Sequence, residues 1–140
     1  MRELILEAAQ SGDIEDLRAA IERNETPPIF STGANRPRTF ADAVEFLKTR
    51  SFDGQGRETL AIIAAAFDQP YVKITRGPAV TYEWPAFAAR SLLEASEEER
   101  LEIWRCMRFS SLASSPDKPP ALERIGIGAD GTWHYFVADD

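Results

Sequence analysis

Few side chains in this sequence could carry chemistry. His134 is the only histidine, which excludes a histidine-rich metal site and a Ser-His-Asp relay with an imidazole to spare. One catalytic arrangement is left, His134 as a lone general base beside Arg124 or Glu83; the competing reading is a strand histidine that is only solvated or hydrogen-bonded. Cys106 is the only cysteine, so the chain can form neither an internal disulfide nor a Cys-based zinc cluster. Within an apolar stretch of helix its thiol reads as inert packing.

Other clusters weaken on inspection. Asp53-Gly54-Gln55-Gly56 sets two glycines before a helix and could offer backbone N–H groups to an anion, but it lacks the lysine and spacing of a phosphate-binding loop and reads as a turn. Glu97, Glu98, Glu99 and Glu102 fall in or near a first helical turn, where they favour the helix dipole, and they lack the ligand spacing of a helix-loop-helix calcium site. Trp84, Phe87, Trp133 and Tyr135 read as core before they read as a stacking platform.

With nucleophiles and metal ligands so scarce, the leading expectation is a non-catalytic binding or protein-interaction domain that uses no metal or cofactor. Glu83, Trp84, Arg124 and His134 are its candidate binding residues. One alternative is an enzyme with a small cleft at the sheet edge using Glu83, Arg124 and His134. Another is an ankyrin-like helical-hairpin adaptor that docks a partner on Leu4, Ile5 and Leu17.

Composition narrows the partners. The chain has 140 residues and a formal charge of -7, a size that suits one core and a sign that repels phosphate backbones and anionic lipid heads. Nucleic acid is therefore not expected, and no apolar run approaches the ~20 residues of a membrane span. The chain as written reads as soluble and cytoplasmic, or as periplasmic or exported if an upstream signal was removed.

The elements that must position these residues follow from periodicity. Leu4, Ile5, Ala8 and Ala9 make one helical stripe and Ser11-Gly12 breaks it; Asp13 then caps a second helix carrying Ile14, Leu17 and Ile21. This hairpin, residues 1–23, resembles the helix pair of a single ankyrin repeat through Ala8-Ala9-Gln10-Ser11-Gly12-Asp13; its stripe is expected to dock on the chain's own Leu60 helix first, and it is the segment that would otherwise meet a protein partner or a second copy of the chain. Residues 24–38, with three prolines, read as a loop. Thr39 with Asp42 starts a helix with Phe40, Val44 and Leu47, and a mostly apolar helix from Arg57 to Phe67 belongs at the centre of the core.

The period then changes to two. Strands Tyr71 to Thr75 and Ala79 to Trp84 flank Arg76-Gly77-Pro78, with Val72, Ile74, Val80, Tyr82 and Trp84 as the apolar alternates. Ser96 and Glu99 form a capping box for a helix expected to turn Leu101, Trp104 and Met107 inward, with Ile103 and Cys106 flanking. A polar loop is expected from Ser110 to Pro120. The last hairpin, Leu122 to Gly128 and Thr132 to Val137, turns at Ala129-Asp130-Gly131. A two-residue loop would put Phe136 and His134 with Ile125 and Ile127, whereas a three-residue loop puts Trp133, Tyr135 and Val137 there. The three-residue loop is the expectation, with Arg124, His134 and Phe136 on the other face.

Trp84-Pro85-Ala86-Phe87-Ala88 and the run Arg124-Ile125-Gly126-Ile127-Gly128-Ala129-Asp130-Gly131-Thr132-Trp133-His134-Tyr135-Phe136-Val137-Ala138-Asp139 resemble a family of uncharacterised bacterial proteins. That family has a Trp-Pro-x-Phe motif, then a helix, then a terminal Gly-Ile-x-x-Asp-Gly-x-Trp hairpin. Glu7 to Glu15 and Asp53 to Glu58 look like it too. The resemblance brings no activity; it implies a bacterial protein of the cell envelope. The expected fold is α+β, N-terminal helices packed on a small antiparallel sheet of two β-hairpins, in a single domain over 1–140 with a helical subdomain at 1–23 and an α+β core at 39–140.

Overall fold

The structure, a computed structural model, describes residues 1–112 and 121–138. Its helices are α1 (Arg2–Ser11), α2 (Arg18–Glu22), α3 (Phe40–Arg50), α4 (Arg57–Phe67), α5 (Glu97–Arg105) and α6 (Phe109–Leu112). The strands are β1 (Val72–Arg76), β2 (Ala79–Trp84), β3 (Glu123–Gly128) and β4 (Trp133–Ala138), paired antiparallel in the order β1-β2-β3-β4. The protein is α+β, with the helices on one face of this meander. No helix among the described residues is long and apolar enough to cross a membrane.

Local chemistry sets the helix boundaries. The Asp13 side chain accepts from the Glu15 amide at 3.0 Å and starts a 3-10 turn, Ile14–Leu17, that leads into α2. Thr39 Oγ1 accepts from the Asp42 amide at 3.2 Å to start α3, and Ser96 with Glu99 closes a full capping box at α5. Each such cap satisfies amides that a helix start leaves without partners. Ile5, Leu17 and Ile21 of the N-terminal hairpin are buried in the chain's own core, where α1 packs on α4. Arg2 Nη2 donates to the Phe67 carbonyl at 3.1 Å, tying the two helices at their ends. The apolar stripe offered for a partner is thus covered from within.

Three expectations need correcting and one needs extending. The first concerns α5, where Leu101 and Trp104 are 73% and 64% exposed while Ile103, Cys106 and Met107 are buried. Leu101/Trp104 and Ile103/Cys106 are both i, i+3 pairs, so spacing alone does not choose between them. Polar ties to the end of α4 do: Gln69 donates to Glu102 at 2.7 Å and Arg105 to Asp68 at 3.0 Å, which turns the Ile103 side toward the core.

The second concerns residues 24–38, which form a loop as expected but one that also docks on the sheet through a bridge at Ile29. Asn24 is buried and clamps the Trp133 backbone, donating to its carbonyl at 2.6 Å and accepting from its amide at 3.1 Å. Ile29 then bridges β4 in parallel: its amide donates to the His134 carbonyl and its carbonyl accepts from the Phe136 amide, both at 2.9 Å. Phe30 meets Trp133 edge-on at 5.2 Å. This segment covers the outer edge of β4, an edge whose backbone groups would otherwise lack partners.

The third concerns sheet faces. In the first hairpin a two-residue Gly77-Pro78 turn pairs Ile74 with Thr81 and Val72 with Glu83, so Val72 and Ile74 lie on the face away from Val80, Tyr82 and Trp84. In the second, Gly131 takes φ +87 and its amide donates to the Gly128 carbonyl at 2.9 Å, the left-handed close of a three-residue turn. That part of the expectation holds, and Trp133 pairs with Ile127. One residue later a β-bulge intervenes: Gly126 pairs with Tyr135 and Ile125 with Phe136. The extra residue, His134, reverses the alternation beyond it. Phe136 is buried in the core, and Tyr135 and Val137 face the other side.

The fourth concerns the polar loop after α5. α6 occupies Phe109–Leu112, where that loop was expected to begin, and its remainder at 113–120 lies outside the described residues.

Candidate functional site

The face of the sheet turned away from the helices carries a cleft of about 320 Å³. Its lining includes Ile74 and Arg76 of β1, Thr81 and Glu83 of β2, Arg124 of β3 and Tyr135 of β4. Strand pairing explains the grouping: Ile74 stands beside Thr81, Glu83 beside Gly126, and Gly126 beside Tyr135.

Glu83 is the unusual member. It is 1% exposed, and a buried carboxylate is unfavourable unless it is paired. Its Oε2 accepts from the Tyr135 hydroxyl at 2.5 Å and lies 3.4 Å from Nη1 of Arg124. Its Oε1 meets no hydrogen-bond donor among the described residues. The Tyr135 phenol is pushed above the ordinary tyrosine range, first by burial and then by its hydrogen bond to Glu83. At neutral pH it therefore remains a donor. The ring reaches Glu83 because Gly126 lies beneath it: a Cβ there would sit 2.2 Å from Tyr135 Cζ.

A second buried carboxylate shows the contrast. Glu123 of β3 faces the helices and is enclosed by side chains from several elements. Its Oε1 accepts from Arg108 Nε and from Arg50 Nη2, the latter at 3.3 Å, while Arg108 Nη1 donates to Thr59 at 2.9 Å. That network joins α3, α4 and β3 to the segment after α5 inside the core, where Glu123 Oε2, like Glu83 Oε1, has no hydrogen-bond partner among the described residues; what sets Glu83 apart is its place on the wall of an open cleft.

Of the residues expected to form a site, Glu83 and Arg124 come together. Trp84 faces the helices, packed edge-on against Phe67 at 5.3 Å, and does not line the cleft. His134 is exposed at the turn end of the hairpin, beside where a Gly128 side chain would project, and it too is outside the lining. Cys106 is buried on the helix side, where desolvation pushes its thiol up to about 12. Tyr135, Arg76 and Ile29 were missed. The available signal was Gly126 and Gly128 at alternate strand positions, which open one face to large side chains from the next strand.

The remaining clusters are occupied by their own structure. Asp53 accepts from Ser51 Oγ at 2.6 Å and from the Gln55 amide at 3.3 Å, which holds its carboxyl below the usual range and closes the loop on itself. Glu97 pairs with Arg100 at 2.8 Å and Glu102 with Arg105 at 2.6 Å along α5. Among the described residues no three His, Cys, Asp or Glu side chains group as a metal-ligand set. Compared with protein-family models, curated proteins and solved structures, the chain matches none, so its functional reading rests on the cleft.

Proposed function

We propose that this chain is a non-catalytic binding domain whose ligand site is the cleft on the open face of the sheet. The observation that carries this reading is the buried Glu83 carboxylate on the wall of the cleft, held on one oxygen by Tyr135 and Arg124 and without a donor on the other among the described residues. Small-ligand sites commonly combine apolar walls with a few convergent polar groups, and a buried acceptor without a partner favours a bound donor.

Binding is preferred to chemistry because the groups that would transfer a proton or attack a substrate are elsewhere. His134 and Cys106 do not line the cleft, and Tyr135 keeps its proton at neutral pH. The adaptor reading is not favoured, since Ile5 and Leu17 are buried. The bacterial, cell-envelope origin suggested by the Trp84-Pro85 and Gly126-to-Trp133 motifs is compatible with a binding role and adds no activity.

The test is a screen of small polar fragments by amide chemical-shift mapping. Hits are expected to move the amides of Thr81, Glu83 and Tyr135, and Ala79→Trp, which fills the cleft from an exposed position, should abolish those shifts. Hits that map only to other surfaces, or that survive Ala79→Trp unchanged, would defeat the proposal.

A further inference from the structure

The geometry points to a small zwitterion with a compact apolar side chain, an α-amino acid of about leucine size, as the ligand of this cleft. The inference rests on the cleft being the binding site. At one end stands Glu83, whose buried Oε1 is an acceptor without a donor among the described residues. At the other is Arg76, an exposed guanidinium that makes no ion pair among the described residues. Arg76 pairs with Ala79, four positions from Glu83 along β2, and all three side chains belong to the open face. At a rise of about 3.3 Å per residue the two backbone sites are roughly 13 Å apart. Arg76 lies near enough to Tyr135 to act on its phenol, and Tyr135 donates to Glu83, so the long arginine arm covers part of that separation and a short zwitterion bridges the rest.

The charges fix the orientation. With Arg124 already engaged by Glu83 Oε2 at 3.4 Å, a carboxylate beside Glu83 would face a buried like charge and an ammonium beside Arg76 an exposed one, which favours one polarity. An ammonium on Glu83 Oε1 gains a charge-assisted hydrogen bond, about twice the strength of a neutral one. The carboxylate then meets Arg76, whose planar fork suits it. Between the two ends the walls are Ile29, Ile74, Ala79 and Val137, which suit a short aliphatic side chain. A cleft of about 320 Å³ lies at the small end of ligand sites and leaves little room for a longer peptide. For a chain of net charge -7, an arginine without an ion pair beside such a cleft also gives an anionic group a local attraction that the rest of the surface does not.

The probes are leucine, 4-methylpentanoate, which lacks the ammonium, and 3-methylbutylamine, which lacks the carboxylate, each titrated by calorimetry and by amide shift mapping. Leucine should bind at the cleft, and each truncated probe at least tenfold more weakly. Arg76→Gln, at an exposed position, should weaken leucine and 4-methylpentanoate about tenfold and leave the amine unchanged. Glu83→Gln should weaken leucine and the amine and spare the acid. Should Glu83→Gln fail to fold, the three probes on the wild type and on Arg76→Gln still decide. Equal binding of leucine and either truncated probe, or indifference of leucine to Arg76→Gln, would overturn the assignment. If fragments occupy the cleft and leucine does not bind, the ligand class falls and the cleft reading stands; if fragments map elsewhere, both fall.

Discussion

A methyl group added at Gly126 tests the architecture of the cleft most directly. An ideal Cβ there would lie 2.2 Å from Cζ of Tyr135 and 2.4 and 2.6 Å from its two Cε atoms, so the ring must move. Its hydroxyl would then leave Glu83, whose Oε2 would keep only Arg124 at 3.4 Å. Overpacking costs about 1 to 3 kcal/mol and a lost hydrogen bond to a charged group about 1.5 to 3, offset by roughly 0.5 to 1 from replacing a strand glycine by alanine. Gly126→Ala should therefore destabilise the protein by roughly 2 to 5 kcal/mol. In a Tyr135→Ala background nothing opposes the methyl, and the same substitution should turn neutral or stabilising by up to about 1 kcal/mol. Urea denaturation of the four proteins, followed by tryptophan fluorescence, closes the double-mutant cycle. If Gly126→Ala costs the same in both backgrounds, Tyr135 does not lie over Gly126 and the account of Glu83 is wrong.

Two further outcomes are expected. Trp133→Ala should cost roughly 3 to 5 kcal/mol, because the ring is fully buried against Phe30, whereas Trp104→Ala on the exposed side of α5 should change stability by less than about 0.5 kcal/mol; equal shifts in the denaturation midpoint would refute the assigned face of α5. Tyr135 also predicts a pH dependence. Its folded-state value is raised, so the unfolded chain loses this proton first once the pH passes about 10; the stabilisation is intact below that pH and is lost as the pH climbs through the folded value. Denaturation from pH 8 to 11 should show wild type declining more steeply than Tyr135→Phe, and parallel profiles would count against the buried phenol.

The legible parts of the fold were those written in local chemistry. Thr39, Ser96 and Asp13 each cap within three residues of themselves, so their signals survive in any tertiary context. The apolar α4 could only be central, and Gly131 could only close a turn of the kind seen. Less legible was whatever depended on a choice between equivalent local solutions. α5 offers two apolar stripes of equal spacing, and the decision came from Gln69 and Asp68, more than thirty residues away in sequence. The stretch after Asn24 looks like a loop because of its prolines, yet its partner is the β4 edge, 109 residues distant for the Asn24 clamp.

The cleft depends on one such long-range choice. Glu83 and Arg124 were recognisable as a pair because they face the same side of adjacent strands, and this holds whatever happens in β4. Which residue of β4 joins them is decided by the bulge. Without it His134 would stand opposite Gly126 in the place that Tyr135 takes, and an imidazole instead of a phenol would meet Glu83. The bulge in turn has two anchors outside the hairpin, the Asn24 clamp on Trp133 and the Ile29 bridge that engages His134 and Phe136 on either side of Tyr135. A segment with the composition of a loop therefore fixes the register of the neighbouring strand, and through that register it selects a phenol over an imidazole at Glu83. The choice of side chain that meets Glu83 rests here on the backbone contacts of residues 24 and 29, which no spacing within residues 122–138 could have revealed.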